Sequence, residues 1–291
     1  DETMELAEVI HKKTAGNPFF VLQFLQMLRQ ENLLSYSFST YRWEWGDVEN
    51  LQTAAHVSDN VADVVAATMR GLPEATRCAL KVSSCLGKIM PLHVLIEYFE
   101  YFDASQSGST CHLGLHQIQM RGLHNVLESA VKIGILIKPE GADAYMWSHD
   151  KLQHVAYSLI PEVMRPSLHI RLGKLLWKMS KENPDEEWML FMAADHLNRF
   201  SDFQQDEVLG AEVAELCLEA AKLSLSKSAL YPALDMLLAG VKQLDSRDRW
   251  SEHYDLSLEM FGRLAQIAYQ IGNHDDAVAA VKEVDEHART L

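Results

Sequence analysis

The tripeptide Ser148-His149-Asp150 is the arrangement in this chain best suited to chemistry. It directly precedes Leu152, Val155, Ala156 and Leu159, whose spacing is that of an amphipathic helix, so it reads as a helix start. With Ser148 as the cap, His149 takes the first helical position and Asp150 falls in the first turn. Free N–H groups and the macrodipole at such an end attract anions, and an imidazole there can donate to a phosphate oxygen. The plainer reading is a surface histidine beside an ordinary capping aspartate. Other candidates carry less. Cys111, His112, His116 and His124 offer metal-ligand chemistry, but the first three share a polar stretch and no second Cys/His pair has ligand spacing, so no metal site is expected. Ser224-Leu225-Ser226-Lys227 matches S-x-x-K without its companion motifs, and no catalytic residue is assigned. Tyr41, Trp43 and Trp45 could stack a flat ligand, but packing within a hairpin is the expectation.

The elements that must position these residues are helices. The chain has 291 residues, 48% hydrophobic and 23% charged, with only 14 glycines and 8 prolines. That composition excludes wholesale disorder and argues against a turn-rich β fold. The net charge is −15, and residues 181–291 hold 22 acidic and 10 basic side chains, so the C-terminal third carries most of the excess. An acidic chain is a poor nucleic-acid binder. The four cysteines, Cys78, Cys85, Cys111 and Cys217, form no CxxC pair and no disulfide framework, which fits a reducing cytoplasm. No run of about 18 apolar residues offers a membrane span. The first residue is Asp1, and the expectation is a piece of a longer polypeptide.

Residues 3–14 form an amphipathic helix that Gly16, suited to the left-handed position after a helix, ends. Pro18 opens the next helix, to about Glu31, and the alternating aromatic stretch 33–45 predicts a hairpin turning at Ser39-Thr40. Residues 46–58 read as a linker. From Ser58, helices 59–70, 73–86, 91–102 and 121–132 are followed by strands 133–138 and 144–147 and a closing helix to Ile160: a winged-helix pattern. Beyond Pro161 only helices are visible, at 162–180, 185–199, 206–226, 228–244, 251–271 and 275–290. Ala233 and Ala277 stand 44 residues apart, which fits stacked helical hairpins longer than a standard tetratricopeptide repeat. The fold class is therefore mainly α, with lid helices, a winged-helix unit, a TPR-like α-solenoid and two small β-hairpins.

Three segments together carry a resemblance. Lys13-Thr14-Ala15-Gly16-Asn17-Pro18-Phe19-Phe20, the stretch Tyr41-Arg42-Trp43-Glu44-Trp45 with Asp59-Asn60-Val61, and Trp147 through Pro161 (WSHDKLQHVAYSLIP) resemble segments of STAND-class, AAA-related signalling ATPases. His169 and Gly173 fit the H-x-x-x-G pattern that follows there. This subgroup sits within large multidomain serine/threonine or histidine kinases. The resemblance implies three domains: lid helices and hairpin over 1–57, a winged helix over 58–161 and TPR-like repeats over 162–291. It also implies that Gly16, Asn17 and Pro18 meet the adenine of a bound nucleotide, and that His149 and Asp150 sense its phosphate. Gly-Asn-Pro taken by itself is helix punctuation.

No G-x-x-x-x-G-K-[ST] occurs: Gly87-Lys88 is followed by Ile89 and lacks the preceding glycine. The resemblance thus implies ATP or ADP with Mg held by an upstream P-loop core, no cofactor on this chain alone, and no enzyme activity of its own. Its expected partners are that core and a protein or small-molecule signal on the repeats. Two other classes stand beside this one. The first is a nucleotide-independent helical-repeat scaffold. The second is a winged-helix transcription regulator, whose recognition helix 121–132 would offer Arg121, His124, Asn125 and Lys132 but also Glu128, a thin basic surface for DNA.

Overall fold

Apolar residues at helical spacing build two units, divided between Ile160 and Pro161. The computed structural model describes residues 2–14, 16, 18–46, 61–104, 120–200, 207–244 and 248–289. Asn17, residues 47–60, which take in all of the expected linker 46–58 but Gly46, and the stretch 105–119 with Cys111, His112 and His116 lie outside the described residues.

In the first unit, α1 (Glu2–Thr14) and α2 (Pro18–Gln30) bury one stripe each. Leu6, Val9, Phe24 and Leu28 meet Leu34 of β1 (Leu34–Ser37), with Trp45 of β2 (Arg42–Trp45) against them. The two strands pair antiparallel, Leu34 opposite Trp45 and Ser37 opposite Arg42, so the hairpin turns where expected. Gly16 joins α1 to α2 at φ +73°, a conformation that costs an L side chain about 1 kcal/mol or more.

Then come α3 (Val61–Gly71), α4 (Glu74–Cys85), β3 (Ile89–Pro91), α5 (Leu92–Ala104), α6 (Met120–Lys132), β4 (Leu136–Ile137), β5 (Ala144–Trp147) and α7 (Asp150–Ser158). The sheet order is β3-β5-β4, all antiparallel, which with helices α4 to α6 is winged-helix topology. The sheet has three strands where two were expected. Pro91 ends β3 instead of opening a helix: β3 is an edge strand, where a missing N–H leaves no ladder bond unmade, and Leu92 opens α5 with its N–H on Asp143 O at 3.0 Å. β4 is shorter than the expected 133–138 because Ile133 and Gly134 belong to the turn that ends α6. Trp147, Tyr145, Tyr98 and Leu95 fill the core between sheet and helices.

The second unit opens with a single 3₁₀ turn, Glu162–Met164, and is otherwise helical among the described residues. Three antiparallel pairs follow: α8 (Arg165–Glu182) with α9 (Trp188–Phe200), α10 (Glu207–Ser226) with α11 (Leu230–Gln243), and α12 (Tyr254–Ile271) with α13 (His274–His287). Successive pairs are laced together: Trp177 donates to Glu219 at 3.0 Å, and Lys222 meets Glu259 at 2.8 Å. The 44-residue register is visible in the backbone. Ser228 and Gly272 are both left-handed, and Ala229 N–H to Ser224 O at 2.9 Å is repeated 44 residues on by Asn273 N–H to Ala268 O at 2.8 Å. The solenoid and its small hairpins thus follow the expected fold class.

Candidate functional site

His149 is the N-cap of α7, not its first helical residue. Its backbone is extended, φ −154° and ψ 143°, and its own Nδ1 accepts the Lys151 N–H at 3.1 Å. Ser148 does not cap. Its Oγ donates to Gly134 O at 2.6 Å and to Ile135 O at 3.0 Å, tying the end of β5 to the turn after α6. The serine hydroxyl is engaged at that turn, where Ile135 O also accepts the Ser148 N–H at 3.1 Å, and the histidine takes the cap.

This settles the ring chemistry. An imidazole whose Nδ1 accepts a hydrogen bond carries its proton, when neutral, on Nε2. The first-turn amides are partly spent: Lys151 N–H goes to the ring and Leu152 N–H to His149 O at 3.0 Å. An anion approaching this end would therefore meet the imidazole more than the N–H groups expected to share the task. Asp150, the first residue of α7, is exposed, and its charge complements the helix dipole.

A neighbour of the other predicted half lies near His149. Pro18 opens α2 and is exposed, and Phe20, two residues on, is half-buried with its ring centroid 6.0 Å from that of His149 at 44°. The start of α2 and the cap of α7 thus meet through Phe20 and His149, although 129 residues separate them in sequence. Gly16 is exposed and left-handed; a Cβ there would stand 3.3 Å from His11 Nε2. Asn17 lies outside the described residues. Phe20 was not singled out from the sequence; only its place in the Pro-Phe-Phe run could have flagged it.

The remaining candidates resolve structurally. No group of three His, Cys, Asp or Glu side chains able to hold a metal occurs among the described residues. Ser224 is buried and bonds back to Ala220 O at 2.9 Å, while Lys227 pairs with Glu187, so S-x-x-K is no nucleophile pair. The hairpin aromatics depart from the packing expectation. Trp45 joins the α1–α2 core, but Tyr41 and Trp43 are exposed, with Trp43 only edge-on to Tyr36 at 5.4 Å. Register puts Trp43 opposite Tyr36, on the same face as the Leu34–Trp45 pair but nearer the turn, where the core formed by α1 and α2 no longer covers it. On α6, Glu128 accepts from Lys138 Nζ and from Tyr145 Oη, each at 3.0 Å, and these bonds, Lys138 first, hold its carboxyl below the usual range. The wing lysine is thereby engaged by a carboxylate of the helix that would have to read DNA.

His169-x-x-x-Gly173 is a helix seam. A Cβ on Gly173 would lie 2.6 Å from Leu197 Cγ, and one turn earlier His169 Nδ1 sits 2.6 Å from His196 Nδ1, both rings buried. Burial lowers His169 to about 3 and His196 to about 4. His196 could not be foreseen, since its role exists only once α9 crosses α8.

A hybrid signal transduction histidine kinase (G) of Dictyostelium discoideum is 22% identical over 334 residues, taking in 99% of this chain. The chain spans only 10% of that relative's length. No protein-family model matches the chain, and no solved structure does. Among the described residues, no helix is long and apolar enough to cross a membrane.

Proposed function

We propose that this chain is the regulatory part of a STAND-type signalling protein, coupling the state of a bound nucleotide to partner binding on its helical repeats and to an attached kinase or other output domain. The observation that carries this reading is the contact of Phe20 with the capping His149, which joins the start of α2 to the cap of α7. Similarity to a histidine kinase along nearly the whole chain supports the signalling half. The sequence holds no P-loop, so ATP or ADP and its Mg belong to a core elsewhere in the parent protein, and the chain alone hydrolyses nothing. Bound there, the nucleotide supplies a phosphate whose charge changes on hydrolysis. His149 would meet that phosphate through its imidazole, Gly16 and Pro18 would lie on the base side, and Phe20, with its ring 6.0 Å from that of His149, would link the cap to α2.

The test is nucleotide release from the full-length parent protein carrying His149→Ala. Loss of one hydrogen bond to a charged group costs about 1.5–3 kcal/mol, so ADP release rises roughly 10- to 100-fold. Melting falls by no more than a lost cap explains, about 0.5–1 kcal/mol. Unaltered release with a clearly lowered melting point sinks the sensor role. Titration calorimetry of the chain alone with ATP or ADP and Mg is expected to show no tight binding, and a dissociation constant near 1 µM, about 8 kcal/mol, refutes the division of labour. A nucleotide-independent scaffold is the second reading, motivated by the three stacked helix pairs. Intact partner binding with nucleotide-blind behaviour in the parent protein would favour it.

A further inference from the structure

The start of α7 holds two capping residues side by side, and the better capper is not the one in use. Serine ranks among the preferred N-cap residues and histidine does not. Yet His149 caps, its Nδ1 accepting the Lys151 N–H at 3.1 Å, while the Ser148 hydroxyl donates to Gly134 O at 2.6 Å and Ile135 O at 3.0 Å. Ile135 O already holds the Ser148 N–H at 3.1 Å. The hydroxyl is therefore kept from the helix chiefly by its bond to Gly134 O. One such bond is worth about as much as the difference between a good cap and a poor one, so the two arrangements lie close in energy.

The path between them is short. The Ser148 N–H bond to Ile135 O extends the β4–β5 pairing by one residue and need not break when the hydroxyl moves. A turn about χ1 carries Oγ from the Gly134 carbonyl toward the first free N–H groups of α7. His149 then leaves its extended backbone, φ −154° and ψ 143°, for the first helical position, and α7 lengthens by one residue. The imidazole gives up the Lys151 N–H and its place beside Phe20, 6.0 Å away between ring centroids. Gly134 belongs to the end of α6, with φ +78° and its N–H on Val131 O at 2.9 Å. The hydroxyl thus ties the cap of α7 to the end of α6, and a shift between these two helices acts on the cap.

We propose that Ser148 is a positioning residue for His149: held at the Gly134 turn it leaves the cap of α7 to the imidazole, and released from that turn it takes the cap itself and withdraws the ring. Its bearing on function rests on the reading of His149 as the group that meets phosphate, whereas the exchange of caps requires no nucleotide.

Ser148→Asp forces the exchange, because a carboxylate caps a helix but has no proton to give a carbonyl oxygen. Ser148→Thr keeps both abilities. The whole chain, carrying isotope-labelled histidine, is compared by long-range proton–nitrogen NMR at about pH 8, above the ordinary histidine range, with His149→Ala assigning the signal. In the wild type and Ser148→Thr, His149 is expected as the Nε2–H tautomer with an accepting Nδ1, and in Ser148→Asp that signature is lost. Melting of Ser148→Ala, His149→Ala and the double variant reads the same exchange should the aspartate variant not fold. Serine takes over the cap once the imidazole is gone, so the double variant should lose more than the two single losses together. An accepting Nδ1 retained in folded Ser148→Asp, or additive melting losses, overturns the proposal. In the full-length parent protein, Ser148→Asp should raise ADP release roughly 10- to 100-fold, as His149→Ala does. A rise with His149→Ala alone also overturns the proposal. Release unmoved by either variant, with the NMR signature lost as expected, refutes the nucleotide reading and leaves the exchange of caps standing.

Discussion

The cap of α7 and the α8–α9 seam both hold histidines and use them in opposite ways. His149 is half-buried and takes its place from a local bond to Lys151 N–H, two residues on. His169 and His196 are sealed between two helices and take theirs from each other, 27 residues apart. A local cap leaves an imidazole where a ligand can meet it. A tertiary seam removes it from water and holds it neutral, so that it packs and does not signal. Solvent access, more than residue type, separates the two settings.

Acid should separate the two most sharply. Burial lowers the seam rings to about 3 and about 4, while in the unfolded chain a histidine takes up its proton below about pH 6.5. The unfolded chain therefore binds more protons between these values. Stability is fully present above pH 6.5 and falls as the pH drops toward 4, by up to about 1.4 kcal/mol per unit for each ring. Urea unfolding at pH 7 and pH 5 should show a loss of about 3 kcal/mol in the wild type, much reduced in His169→Leu/His196→Leu. Equal losses in the two proteins would break the contrast.

Packing comes next. Gly173→Val drives a branched side chain into Leu197 and the His196 Cβ, 3.2 Å from the built Cβ, and should cost about 2–3 kcal/mol in denaturant unfolding. Gly262 on α12 has nothing within 4 Å, and Gly262→Ala should instead stabilise by about 1 kcal/mol through helix propensity. If both glycines tolerate substitution alike, the seam is looser than described.

The smallest effect tests a purely local device. Ser228 at φ +59° and Gly272 at φ +85° fill equivalent turns 44 residues apart, so the serine bears backbone strain that the glycine avoids. Ser228→Gly should raise stability by about 1 kcal/mol and Gly272→Ser should lower it by a similar amount, read as opposite shifts in melting temperature.

Much of this was legible before any coordinates. Gly16, Pro18 and Gly272 mark helix ends by backbone chemistry that acts within a few residues, and helix edges fell close to where they stand. The spacing of Ala233 and Ala277 gave the 44-residue register, which the paired turns at Ser228 and Gly272 share. The His149 neighbourhood was located but its geometry was not: Ser148 has the better capping chemistry, and only the carbonyls of Gly134 and Ile135 turn it elsewhere. The strand Ile89–Pro91 escaped notice because three residues ending in proline carry no periodicity; β5 defines it as a strand.

By itself, the sequence determined where most helices begin and end and which faces are apolar, because propensity, capping and periodicity are short-range. Only the tertiary structure decided which histidine is sealed and which stays at an edge, that Phe20 meets His149, that Tyr41 and Trp43 stay exposed, and that Val278 and Val281 line an open groove. Those facts depend on which surfaces lose water to each other, and that is set by groups tens to more than a hundred residues apart, beyond the reach of any local pattern.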